Sequence, residues 1–185
     1  MRLFLALPFN DEINALLDIW LSGLVPHFQP RVVPAAKRHL TIKFFGKVQQ
    51  EDLSLLIDSI EKYCTGFSKP RGDLSVRGIG LFTSARASVI LWAGVQDHLG
   101  WLADFAGGIR ESLAGFGKQD TEHGWQPHIT LARLANSCQI DLAAHCSQET
   151  NTSFGSFTPF SAVLYKSDLL PAGAQYEAIQ EFWLG

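Results

Sequence analysis

The chain has 185 residues, enough for one good core, with 46% hydrophobic and 18% charged residues and a formal net charge of −3. That balance excludes a broadly basic surface for long nucleic acid, and no apolar run approaches the roughly 18 residues of a membrane span. Cys64, Cys138 and Cys146 are odd in number and lack Cys-x-x-Cys spacing, so neither a disulfide framework nor a zinc knuckle is expected, and a reducing cytoplasm is the simplest setting.

Residues 2 to 7 read as a strand closed by Pro8, without the length or flanks of a signal peptide. Asn10 then caps a helix whose Ile13, Leu16, Leu17 and Trp20 share a face, and Gly23 and Pro26 are expected to end it. A short extended piece from Arg31 to Val33 leads to a strand over about 38 to 45, stopped by Gly46. The next helix aligns Leu53, Leu56, Ile57, Ile60 and Cys64, with Glu51 and Asp52 at the positive end of its dipole. A strand from Leu74 to Arg77 precedes a turn through Gly78 and Gly80, and Ser88 to Val95 is apolar enough for a sheet interior.

The spacing of Leu102, Phe105, Ala106, Ile109 and Leu113 predicts a helix over 97–114, weakened at Gly107 and Gly108. A polar loop from Lys118 to Pro127 delivers another strand, and Asn136 or Ser137 would cap a short helix through Ile140, Ala143 and Ala144. Residues 152 to 167 are β-rich, and Pro171-Ala172-Gly173 turns the chain into a closing strand from Gln175 to Trp183. The order is β-α-β-α-β-β-α-β-α-β-β, with no linker that would separate independent units, so residues 1–185 are expected to form a single domain.

Two strands in that order carry one pattern, His39-Leu40-Thr41-Ile42 and His128-Ile129-Thr130-Leu131. In an extended strand His39 and Thr41 share one face and Leu40 and Ile42 the other, and the second copy divides the same way. One copy alone is most simply an amphipathic strand with a polar outer face. Two copies facing each other would place two imidazoles and two hydroxyls around a small anion such as a phosphate. Histidine, with an ordinary pKa near ~6.5, serves as base in one copy and acid in the other, though sequence alone does not order them. Around the first copy, Arg31, Lys37, Arg38, Lys43 and Lys47 form a run of cations without an acidic residue, read either as a solvated strand edge or as a local phosphate funnel. Phe44 or Phe45, and Trp125, flank the motifs as candidate base platforms or as core. Glu122, His123 and His128 raise a metal reading, but their spacing matches no ligand pattern, so no metal or cofactor is expected.

With both motifs the chain resembles the two-histidine phosphoesterase superfamily, and within it the bacterial and archaeal RNA 2′,3′-cyclic phosphodiesterases first described as 2′-5′ RNA ligases. The resemblance runs through MRLFLALP at the start, HLTIKFFG at 39–46, VILWAGV at 89–95, PHITLAR at 127–133 and VLYKSDLLPAGAQYEAI at 163–179. Val33 and Ala35 depart from a segment that in relatives often reads tryptophan-valine-proline-proline. The resemblance implies an α+β fold of two lobes, a pseudo-twofold duplicated unit of antiparallel sheets with helices packed outside and a central cleft carrying one His-x-Thr strand from each lobe. It implies hydrolysis of 2′,3′-cyclic phosphodiester ends to 2′-phosphomonoesters, with His39 as proton donor and His128 as proton acceptor. Thr41, Thr130 and Arg133 would bind phosphate, with Lys43, Phe45 and Trp125 as further substrate-binding candidates. Arg133 falls on the apolar-face parity, so it reaches the cleft only if the strand twists or ends near Ala132. The expected partners are RNA ends with a 2′,3′-cyclic phosphate or small cyclic nucleotides, met by a monomer without membrane attachment. Ligation by reversal of the same chemistry, action on other cyclic or 2′-5′-linked nucleotides, and non-catalytic binding of RNA ends remain as alternatives.

Overall fold

The computed structural model describes residues 1–84, 88–117, 124–135, 139–171 and 173–185. Among these, β1 (Arg2–Leu7), α1 (Asp11–Phe28), β2 (Arg31–Val32) and β3 (Leu40–Lys47) are followed by α2 (Leu53–Gly66), β4 (Leu74–Ser84) and β5 (Ser88–Asp97). Then come α3 (Trp101–Ser112), β6 (His128–Ala135), α4 (Gln139–Gln148), β7 (Ser153–Phe157), β8 (Ser161–Leu170) and β9 (Gly173–Trp183). The strands form one curled antiparallel sheet ordered β7-β4-β5-β6-β3-β1-β8-β9, with β2 lying against β6. The helices pack outside it. No helix among the described residues is long and apolar enough to cross a membrane.

The two motif strands are the central neighbours, joined by a single bridge between Leu40 and Ile129. On either side the chain exchanges a strand: β4 follows β3 through α2 yet pairs with β5, and β8 follows β7 yet pairs with β1. Leu3, Leu5, Leu7, Leu40, Ile42, Ile129 and Leu131 are buried on the helix-covered face with Leu17, Leu56, Phe105 and Leu142. Burial of such side chains contributes about 1.5–3 kcal/mol each, which anchors the reverse of each motif.

Several elements differ from the pattern expected of the sequence. α1 runs through Gly23 and Pro26 because Leu21 and Leu24 extend its buried stripe, and it ends where Gln29 turns left-handed (φ 46°) and donates its N–H to the Val25 carbonyl. Asn10 does cap it, accepting from the Ile13 N–H at 3.2 Å. The helix expected over 97–114 begins only at Trp101, since the Asp97 carboxylate accepts from the Leu99 and Leu102 N–H groups at 3.0 and 2.6 Å and shapes the preceding turn. The glycines at 78 and 80 sit inside one strand: β4 shifts register between Val76 and Ile79, and Gly80 leaves room for Trp92, whose ring a Cβ would meet at 2.2 Å. The β-rich stretch 152–167 divides around Pro159 into β7 and β8, which lie in opposite halves of the sheet. The expected caps Asn136 and Ser137 lie outside the described residues.

Candidate active site

Each motif strand carries an extra residue directly after its threonine. In β3, Ala6 stands opposite Thr41 and Leu5 opposite Lys43, so Ile42 is unmatched. In β6, Trp92 stands opposite Thr130 and Leu91 opposite Ala132, leaving Leu131 unmatched. A bulge of this kind reverses the in–out alternation from that point on. Phe44 and Arg133, each five residues beyond its histidine, therefore turn onto the face that holds His39, Thr41, His128 and Thr130. The Leu131 carbonyl, released from the ladder, accepts from the Val33 N–H at 2.7 Å, so β2 supports the second bulge.

These side chains meet in a cleft of about 580 Å³, whose lining also includes Arg31, Lys37, Ile90 and Tyr176. Leu169 and Leu170 at the end of β8, with Gly173 and Ala174 at the start of β9, form one rim. No described residue of the lining is an aspartate or glutamate.

The two imidazoles are held alike. His39 Nδ1 lies 2.9 Å from the Lys37 carbonyl and His128 Nδ1 2.8 Å from the Gln126 carbonyl. A carbonyl can only accept, so each Nδ1 carries the proton and each Nε2 is left for the cleft. The rings around them differ. Phe4 stacks on His39 at 4.7 Å and Tyr176 meets it edge-on at 5.4 Å, whereas Phe82 meets His128 edge-on at 4.9 Å. Burial lowers the His39 pKa to about 4, opposed by the bond to Lys37 and reinforced by His128. Burial also lowers that of His128, opposed by its carbonyl bond to Gln126. Desolvation favours the neutral ring in both, and among the described residues no carboxylate stands behind either to hold a proton.

Of the remaining residues singled out in the sequence, several lie elsewhere. Phe45 is 0% exposed within the core, and Lys43 is 3% exposed, opposite Leu5 on the apolar face with its ammonium 5.7 Å from the Phe45 ring. Trp125 is half-buried under Arg110, and its Nε1 donates to the Thr41 carbonyl at 3.2 Å, so it braces β3 and does not line the cleft. Arg38 is buried in the opposite direction, bound to the Val33 carbonyl, to Asn14 and to Asp18 on α1. The cationic run beside His39 thus divides: Arg31 and Lys37 face the cleft, while Arg38 and Lys43 are structural. Of Phe44 and Phe45, the pair expected beside the first motif, Phe44, 58% exposed, is the one that lines the cleft. Phe4, Phe82 and Tyr176 carry no local signal, because distant strands bring them to the histidines. Among the described residues no group of three or more His, Cys, Asp or Glu side chains converges. Glu122 and His123 lie outside the described residues.

The sequence and the fold have counterparts among known proteins. Residues 5–170 match the model of the AKAP7 2′5′ RNA ligase-like domain. The chain is 26% identical to the RNA 2′,3′-cyclic phosphodiesterase of Methanothermobacter thermautotrophicus, over 100% of this chain and 99% of the relative. It is 30% identical to the RNA 2′,3′-cyclic phosphodiesterase of Escherichia coli, over 73% of each. In fold it is similar to the crystal structure of Escherichia coli LigT complexed with 3′-AMP, with a TM-score of 0.79 at 23% identity, covering 99% of this chain and 97% of that one. The crystal structure of TT0787 of Thermus thermophilus gives a TM-score of 0.78 at 24% identity, covering 100% and 98%. The chain belongs to the 2′5′ RNA ligase-like family of the two-histidine phosphoesterases and is related to RNA 2′,3′-cyclic phosphodiesterases.

Proposed function

We propose that this protein is a hydrolase of RNA 2′,3′-cyclic phosphodiester ends, working by metal-free acid–base catalysis in a single two-lobed domain with pseudo-twofold symmetry. The observation that carries this reading is the pair of imidazoles lining one cleft, each with Nδ1 fixed by a backbone carbonyl and Nε2 available. Displacement at phosphorus needs a base beside the attacking water and an acid beside the leaving oxygen. His128 Nε2 takes a proton from water as the new O–P bond forms. His39 Nε2 gives its proton to the 3′ oxygen as the P–O3′ bond breaks, leaving a 2′-phosphate. The two rings then return to their starting states by proton exchange with solvent. Thr41 and Thr130 donate to the non-bridging oxygens, Arg133 offsets their charge, and the exposed ring of Phe44 is the surface for the terminal base.

Before substrate binds, burial keeps His39 neutral at neutral pH. The substrate anion itself is the counter-charge that raises its pKa and makes it an acid. The decisive experiment incubates the protein with a 2′,3′-cyclic nucleotide and a cyclic-ended oligonucleotide in excess EDTA and identifies products by phosphorus NMR. A 2′-phosphomonoester formed at an undiminished rate is expected. A 3′-phosphate product would overturn the leaving-group assignment, and loss of turnover restored by a divalent ion would overturn the metal-free one.

A further inference from the structure

Both imidazoles are fixed by a backbone carbonyl, but the residue that supplies the first carbonyl has a second tie. Lys37 closes the short helical turn Ala35–Lys37, and its carbonyl accepts from His39 Nδ1 at 2.9 Å. Its side chain reaches the other way: Nζ donates to the Ala174 carbonyl, at the start of β9, at 2.8 Å. One residue therefore holds the donor ring with its main chain and the β8–β9 hairpin with its side chain. Gln126, which holds His128 in the same manner, makes no side-chain hydrogen bond among the described residues.

The peptide between Lys37 and Arg38 is the one whose oxygen holds His39, and it is anchored on both sides. Arg38 is buried and bound to the Val33 carbonyl, Asn14 and Asp18, which ties that end to α1. Lys37 ties the other end to the hairpin through a charged donor, one of the stronger kinds of hydrogen bond. The hairpin in turn touches the same imidazole, since Tyr176, two residues after Ala174, meets it edge-on at 5.4 Å. The start of β9 is also seated close to β2: Gly173 has φ of +121°, and a Cβ there would stand 2.4 Å from Arg31 Nη2 and have to displace it.

We propose that Lys37 is a positioning residue: by joining the β8–β9 hairpin to the turn before β3, it keeps its own carbonyl on His39 Nδ1 and so holds the donor imidazole in the tautomer that leaves Nε2 for the substrate. This rests on the reading of His39 as the proton donor. The acid form of His39 carries both protons, and the carbonyl receives the Nδ1–H while Nε2 gives its proton to the leaving oxygen. If the side-chain anchor is lost, the peptide is free to turn, and a neutral imidazole without a fixed partner carries its proton on either nitrogen. The hairpin then controls one imidazole of the pair and not the other.

Nitrogen NMR of protein labelled in its imidazoles reads the tautomers without requiring turnover, near neutral pH where burial keeps His39 uncharged. Both His39 and His128 are expected as Nδ1–H in the unaltered protein. Lys37→Met should turn His39 into a mixture of tautomers and leave His128 as it was, and Lys37→Arg, which keeps a charged donor, should restore the single form. On a 2′,3′-cyclic nucleotide, kcat should fall about tenfold in Lys37→Met, as for a misplaced catalytic group, and recover in Lys37→Arg. Lys37→Ala takes the place of Lys37→Met if that variant does not fold. A mixture already present in the unaltered protein, or His39 still wholly Nδ1–H in Lys37→Met, overturns the proposal. In the second case a fall in melting temperature would make Lys37 a staple of the hairpin only, and a rise in KM alone would make it a charge in the cleft only. If the unaltered protein hydrolyses no cyclic nucleotide while the tautomer responds to Lys37, the donor role falls and the tie to the hairpin stands.

Discussion

His39 and His128 occupy the same place in the same local scaffold, but their surroundings are unlike. Both are fixed through Nδ1 to the carbonyl two residues back, and both precede a threonine and a bulge. His39 lies flat on Phe4 with Tyr176 against it, while His128 receives the edge of Phe82. Five residues on, the first strand presents Phe44 and the second Arg133. Repetition sets direction and tautomer, and the layer of rings behind each imidazole sets how readily it takes a proton. A duplicated motif can in this way supply two different chemical roles without a change in the motif itself.

The sharpest way to break that comparison is to remove one imidazole at a time. His39→Ala and His128→Ala should each lower kcat by roughly 10² to 10⁴, the range for losing a general acid or base, with the melting behaviour of a folded protein retained. Their pH profiles then separate the roles. In the unaltered protein kcat/KM should be bell-shaped, with its maximum on the acid side of the ordinary imidazole pKa because burial lowers both rings, and the kcat profile should lie at higher pH because bound phosphate raises them. His39→Ala should lack the alkaline limb and His128→Ala the acidic one. Loss of the opposite limb in each variant would exchange donor and acceptor.

A smaller effect sharpens the contrast between Phe44 and Arg133. Phe44→Ala should raise KM about tenfold with kcat nearly kept, as expected for loss of one base-stacking surface. Arg133→Ala should lower kcat as well, since in the proposed mechanism its charge offsets that of the reacting phosphate. If Phe44→Ala changes kcat and leaves KM alone, the ring is not a base platform.

A separate effect falls on stability. His39 is pushed to about 4 in the folded protein, well below its ordinary value, so the unfolded chain binds more protons as pH falls between the two. Stability present above about pH 6.5 should therefore be lost on descending to pH 4, by up to about 3 kcal/mol. His39→Gln should flatten that part of the acid limb in thermal melts. An unchanged slope in the variant would mean that other groups drive it.

Much of this arrangement was legible in the chain. The alternation in each His-x-Thr stretch predicted which side chains share a face, and the apolar periodicities located the helices. The bulges were not legible, because an inserted residue looks like any other apolar residue in a strand; strict alternation sends Arg133 to the wrong face and points Phe45, not Phe44, to the cleft. Partner strands make the difference, since Leu5 and Ala6 on β1 and Leu91 and Trp92 on β5 are what leave Ile42 and Leu131 unmatched. Charge was misleading for a similar reason. Arg38 and Lys43 read as part of a phosphate funnel, but α1 supplies Asp18 and Asn14 to draw Arg38 away, and the bulge turns Lys43 toward the core. Pro26 read as a helix end, yet the burial of Leu21 and Leu24 outweighs one missing backbone bond.

The exchange of β4 and β8 carries a consequence for how the molecule comes apart. The half of the sheet holding β6 is one continuous stretch, β4 to β7, set inside the stretches that supply β1, β3, β8 and β9. Two backbone connections therefore tie it to the other half, one through α2 and one at residues 158–160. A protease that cuts either connection leaves the halves tethered by the other, by the Leu40–Ile129 bridge and by the pairing of β2 with β6. Only a double cut would release a fragment, and that fragment would carry His128 and Arg133 away from His39 and Phe44.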